Sequence, residues 1–235
     1  MLNCSLCNTP NYHLAIVCSN CGSFLQRRVE NLDLFTTMWS LIERPVGGFR
    51  TIALARHKNY ALTLSAVGGI GLAFLFFWAL KAGEFAENML NLIVAGTLTG
   101  PLVGVVIVGL LSLFVRGIAN MSRAKVRLRD VFSVVAYALL PVVFTLFLVL
   151  PIELLTFGQF FFTRNPSPFL LKPFSYIVLI GLDGASVLWS LVLLCIGITV
   201  LLEGRWFRAL SIVFLSLFLV AGISEVLRRV LLPQL

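Results

Sequence analysis

The chain has 235 residues, of which 59% are hydrophobic and 12% charged, against roughly 45–50% and 25% in soluble domains. A water-facing surface needs more charge than 18 basic and 10 acidic residues provide, which excludes an ordinary soluble fold. The net charge of +8 would fit nucleic acid only if the basic residues shared one soluble face; they instead punctuate long uncharged runs, which points to a membrane.

Residues 1–26 hold four of the five cysteines and no apolar run of signal-peptide length, so no cleavable signal peptide is expected. Cys4, Cys7, Cys18 and Cys21 form two CxxC pairs ten residues apart, with Gly22 placed where a tight knuckle turn favours a residue without a Cβ. Each CxxC presents two thiolates from one turn, and four thiolates satisfy tetrahedral zinc at about 2.3 Å. The spacing therefore predicts a structural zinc ribbon. Two disulfides would not survive in a reducing compartment, and a thioredoxin-like redox pair needs a βαβ setting that is absent here. A catalytic zinc needs an open position that four sulfurs do not leave. His13, between the knuckles, could substitute as a ligand but reads as a surface histidine.

Residues 27–59 form a juxtamembrane linker. Leu34, Phe35, Met38, Trp39, Leu41 and Ile42 fall close to helical spacing, which predicts an interfacial amphipathic helix interrupted by Pro45, Gly47 and Gly48. Arg56, His57 and Lys58 make a basic collar before the first long apolar run.

Five membrane spans follow. Residues 60–80 are uncharged and long enough to cross a hydrocarbon core of about 30 Å. The second span, 89–115, contains Pro101 and the glycines Gly96, Gly100 and Gly104, so a kink or tilt is expected. The third, 131–152, has Pro141 near its middle. The fourth, 174–202, carries one charge, Asp183, where the span is expected to start or bend. The fifth, about 207–226, is built on the shortest uncharged run, Ala209 to Ser224, and reaches spanning length only with residues on either side.

Counting only lysine and arginine, alternate segments hold thirteen and five basic residues, which places the amino terminus in the cytoplasm and the carboxyl terminus outside. That orientation puts the four cysteines in the reducing compartment, where thiolates bind zinc.

The stretch from Val131 through Tyr137 to Pro141 follows a basic loop, and Leu188, Trp189 and Ser190 run to Gly197 ahead of Arg208, Ala209 and Leu210. These segments, with five spans in this orientation, resemble the Yip-domain membrane proteins over about residues 44–229. The resemblance implies an all-α membrane protein, a five-helix transmembrane bundle over 60–229 preceded by a small cytosolic zinc ribbon. A zinc ribbon fused to such a domain is similar to prokaryotic members and implies a multi-pass protein of the inner (plasma) membrane. Eukaryotic members carry an Asp-Leu-Tyr-Gly-Pro motif and bind Rab-type GTPases. Here Thr97, Leu98, Thr99, Gly100 and Pro101 are the nearest match, without the aspartate and tyrosine.

Asp183 is the only carboxylate interrupting the apolar runs, since Glu225 lies just past the run 209–224, and a charge at mid-bilayer costs about 2.5–3.5 kcal/mol on insertion scales. Either it forms a polar site facing the bundle interior, with Gly181 and Gly184 beside it, or the span begins there and Asp183 sits at the interface, the simpler reading. Gly96, Gly100 and Gly104 lie on one helical face, a helix-packing device whose alternative use is homo-oligomerisation. Tyr137, Trp189 and Cys195 read as packing residues, and the basic loop at 116–129 as a topology determinant whose sharper alternative is binding anionic lipid or an acidic partner. Asn120-Met121-Ser122 matches a glycosylation acceptor on the cytoplasmic side, where it is silent.

No histidine lies in any span, so general-base chemistry has little to work with and no enzyme is expected. The expected function is a non-enzymatic adaptor or membrane-organising protein that presents the ribbon to a protein partner, in contact with the lipid bilayer and not with nucleic acid. The alternative is a small transporter or channel with a polar site at Asp183.

Overall fold

The structure is a computed structural model and describes residues 2–11, 14–26, 29–121, 124 and 126–231, with backbone alone for 223–231. His13, Arg27, Arg28, Ser122, Arg123 and Lys125 lie outside the described residues. Two short strands, β1 (Leu2–Asn3) and β2 (Pro10–Asn11), precede α1 (Leu34–Glu43), α2 (Pro45–Leu54), α3 (Ala61–Leu80), α4 (Met89–Met121), α5 (Leu128–Ala138), α6 (Leu140–Phe157), α7 (Pro168–Leu171), α8 (Pro173–Leu201) and α9 (Trp206–Leu231). Four segments are long and apolar enough to cross a membrane: Ala61–Leu80, Met89–Met121, Leu128–Phe162 and Pro173–Leu201. Helix α9 adds a shorter apolar stretch over Trp206–Gly222 among the described residues.

The helices outnumber the five expected for the bundle, for local reasons. The third predicted span consists of α5 and α6, which meet at Leu139. Pro141 has no N–H to donate to the Tyr137 carbonyl, so the helix is interrupted one turn earlier. Pro45 interrupts the interfacial helix as expected, α1 ending at Glu43, and it also starts α2, at a first-turn position where its missing N–H has no partner to lose. Asp33 caps α1, its Oδ2 accepting from the Thr36 N–H at 2.8 Å. Pro101 lies inside an uninterrupted α4. Asp183 neither starts nor breaks a helix, because α8 runs from Pro173 to Leu201 through it.

The chain divides into two compact units. The first comprises Met1–Tyr60, Leu111–Val135 and Leu194–Leu235. Within it Phe49 and Ile52 of α2, and Val131 and Val134 of α5, are fully buried. A Cβ added at Gly197 of α8 would lie 3.1 Å from the Phe49 ring, so the glycine lets these helices close together. On α1, Leu41 is buried while Phe35, Trp39 and Ile42 are exposed, an apolar face of the kind that lies in a membrane interface. Lys58 is anchored at the C-terminal end of α2, where its ammonium donates to the carbonyls of Ile52 and Ala53 and meets Asp130 Oδ1 of α5 at 3.1 Å.

The second unit comprises Ala61–Leu110 and Ala136–Leu193. Phe74, Leu92, Val149, Phe157, Phe161, Phe162 and Leu179 form its aromatic-rich core. Gly96, Gly100 and Gly104 face α3. A Cβ at Gly100 would sit 2.5 Å from the Ile70 Cα, one at Gly96 would enter the Phe74 ring at 2.7 Å, and one at Gly104 would meet Gly69 and the Ser65 carbonyl. The glycine face is thus taken up by a helix of the same chain.

Candidate functional site

The four amino-terminal cysteines converge: Cys4, Cys7, Cys18 and Cys21 each offer a sulfur, and all four sulfurs lie within 4.8 Å of one another. Cys7 and Cys18 are 3.5 Å apart and Cys4 and Cys21 3.6 Å. A disulfide would bring a pair to about 2.05 Å, whereas four sulfurs at about 2.3 Å from one zinc stand roughly 3.8 Å from each other. The donor set and spacing therefore fit a tetrahedral metal.

The local fold repeats itself to build this cluster. In the first knuckle Asn8 N–H donates to the Cys4 carbonyl at 3.0 Å and Cys4 N–H to the Thr9 carbonyl at 3.0 Å. In the second, Gly22 N–H donates to the Cys18 carbonyl at 3.2 Å and Cys18 N–H to the Ser23 carbonyl at 2.8 Å. The residue after each second cysteine has positive φ, 55° at Asn8 and 72° at Gly22; asparagine and glycine are the residues that tolerate it best. The next residue supplies a hydroxyl: Thr9 Oγ1 is 3.2 Å from Cys7, and Ser23 Oγ is 3.1 Å from both Cys4 and Cys21. Asn11 adds an amide N–H to Cys18 at 3.5 Å. Sequence reasoning singled out Gly22 but missed Asn8, Thr9 and Ser23, although the shared pattern Cys-Ser-x-Cys-(Asn/Gly)-(Thr/Ser) was there to be aligned.

The same groups tune the thiols. The Thr9 hydroxyl and N–H hold the Cys7 thiol down to about 5, and Ser23 lowers that of Cys4. Ser23 also favours the Cys21 thiolate, but the neighbouring Cys7 sulfur, burial and Cys4 outweigh it, and that thiol is raised. Negative charge on one sulfur resists ionisation of the next, and a divalent cation among them removes that conflict.

A second polar feature lies within the apolar segments. Glu153 of α6 and Asp183 of α8 are both buried, at 2% and 8% exposure. They line one cavity of about 20 Å³ with Thr145 and Trp78, room for one water by the threshold of roughly 10–15 Å³. Glu153 Oε1 has no hydrogen-bond partner. The sequence reading ended its third span at Ile152 because Glu153 is charged, and so took Asp183 to be the only carboxylate within the spans. The helix continues to Phe157 and stops where Gly158 adopts φ 59°. Reading the span to that glycine stop, and noting Thr145 eight residues before Glu153 on the same face, would have placed the second carboxylate inside.

A family model described as the Yip1 domain matches residues 39–225. The chain belongs to the Yip1-domain family. With four helices of spanning length, this Yip1-domain protein is a multi-pass membrane protein in contact with the lipid bilayer. The match includes the glycine face and the Glu153–Asp183 cavity and leaves out the cysteine cluster. No curated protein and no solved structure matches the chain.

Proposed function

We propose that this protein is a non-enzymatic membrane adaptor in which the Yip1 domain anchors a zinc ribbon on the cytoplasmic face, where the ribbon binds a protein partner. The observation that carries the reading is the convergence of Cys4, Cys7, Cys18 and Cys21 outside the family-matched region. A closed four-sulfur site is a folding device that leaves no ligand position for chemistry, and a ribbon tethered by the linker at 27–59 is free to present its surface. The bias of thirteen basic residues against five supports five spans over 60–229, with the amino terminus inside a prokaryotic inner membrane. Zinc is the structural cofactor in this reading, and the ribbon at 1–26 is its own domain.

Affinity purification from native membranes, comparing the full chain with Cys18→Ser/Cys21→Ser, tests the reading. Partners that remain bound to the cysteine variant at undiminished yield would sink it. A reporter fused after Leu235 tests the orientation, and cytoplasmic signal there would mean that the fifth helix fails to cross.

A second reading, a small transporter or channel, draws on one observation: Asp183 and Glu153 share a water-sized cavity. An intramembrane carboxyl is costly to keep without use. It requires that Asp183→Asn abolish the cellular phenotype while the ribbon variant retains it.

A further inference from the structure

We propose that the cavity in the first unit lined by Arg127 and Arg129 binds the phosphate headgroup of an anionic phospholipid. The cavity measures about 760 Å³, within the roughly 300–1,000 Å³ of small-molecule sites. Arg56, Lys58, Arg127 and Arg129 line it, against one lining carboxylate, Asp130.

Lys58 already holds Asp130, and Arg56 stands 3.6 Å from Glu30, a pair exposed on both sides and weak for that reason. Among the described residues Arg127 and Arg129 have no carboxylate partner. Burial lowers the tendency of Lys58 to charge, Asp130 restores part of it, and Arg129 and Arg127, which line the same cavity, oppose it. A phosphate between the guanidinium groups would relieve that repulsion with bidentate hydrogen bonds.

The remaining walls are apolar: residues 14–17 except for their backbone, residues 53–55, Val126 and Leu201. Free phosphate has no use for such walls, whereas the glycerol and first acyl carbons of a lipid do. The position agrees. Helix α5 opens one spanning segment one residue before Arg129, and α8 closes another at Leu201, so the cavity sits where helices leave the hydrocarbon and headgroups begin. The proposal requires no partner protein and stands apart from the adaptor reading.

The test is native mass spectrometry of the full chain in detergent, titrated with phosphatidylglycerol or with phosphatidylcholine of the same acyl chains. Phosphatidylglycerol should bind at least about tenfold tighter, and Arg127→Gln/Arg129→Gln should weaken it by about thirtyfold at low salt, a factor of roughly five for each charge facing the leaflet. Lys172→Gln, exposed and not among the residues that line the cavity, should leave it unchanged. Equal affinity for the two lipids, or an equal loss in the Lys172 variant, overturns the proposal. So does displacement of the lipid by inorganic phosphate at equal concentration, which would assign the site to free phosphate. Should the double variant not fold, a photoactivatable phosphatidylglycerol on the unaltered protein decides: crosslinks at residues 14–17 or 126–129 support the site, and crosslinks confined elsewhere overturn it.

Discussion

The amino-terminal knuckles and the Glu153–Asp183 cavity are both clusters of ionisable groups, yet they are organised by opposite means. Around the cysteines there is almost no apolar core. Cys4 and Cys18 are themselves the buried hydrophobes, and turns, hydroxyls and backbone N–H groups aim all four sulfurs at one point. Around the carboxyls the walls are mostly apolar, with Phe74, Leu146 and Phe161 closing the cavity beside Thr145. One cluster exists because local chain geometry gathers ligands, so its stability rests on what they bind. The other is carried by packing that would be much the same without it. Comparing them teaches that the ribbon should fail when its ligand is removed and that the bundle should fail only when its packing is.

The largest effect should come from the metal. Chelation, or Cys7→Ser with Cys18→Ser, should unfold residues 1–26, because metal binding and folding are one process and zinc supplies about 10 kcal/mol or more to such sites. Elemental analysis should give one zinc per chain beforehand, and hydrogen exchange should then lose protection in the knuckles alone, with helical circular dichroism preserved. Acid acts in the same direction. The Cys7 thiol, held down to about 5 without metal, is a thiolate at neutral pH and gains its proton as pH falls through that value, so zinc affinity should weaken as acid is added and zinc should be released on the acid side.

Next in size is the glycine face. Gly100→Leu places a side chain where even a Cβ meets Ile70 at 2.5 Å; about 3 kcal/mol or more of destabilisation is expected in the second unit, read by thermal unfolding in detergent, while zinc content stays constant. Loss of zinc together with bundle stability would break the separation drawn above.

Lys58→Met should cost about 3 kcal/mol, because it leaves Asp130 without its cation and the carbonyls of Ile52 and Ala53 without a donor. Lys58→Met/Asp130→Leu should recover most of the loss, a double-mutant comparison that separates the ion pair from simple packing.

The smallest effect is expected at the carboxyl pair. Glu153→Gln keeps shape and removes one acid from a buried pair, so stability should change by no more than about 1 kcal/mol and could rise. A loss of several kcal/mol would show that the pair organises the bundle and is not merely tolerated by it.

The spacing of Cys4, Cys7, Cys18 and Cys21 was legible because ligand geometry in a knuckle is local, set by residues within a few positions of one another. Membrane character was legible for a similar reason: hydrocarbon length converts directly into a count of uncharged residues, as at 60–80 and 89–115. The partnership of Glu153 with Asp183 was not, since thirty residues separate them and the charge rule that locates spans also trims away the glutamate that belongs inside one. Likewise Pro45 read rightly as a break, but that it also opens α2, and that Pro141 near the middle of the third span marks the junction of α5 and α6, was not legible, because whether a proline ends one helix or begins the next depends on what packs around it. By itself, then, the sequence determined the cysteine cluster, the apolar segments and the family, all properties of short windows. Only the tertiary structure decided that the glycines of α4 close on α3, that two distant carboxyls share one cavity, and that Arg127 and Arg129 meet the linker, because each is a contact between segments whose proximity arises from burying helix faces together.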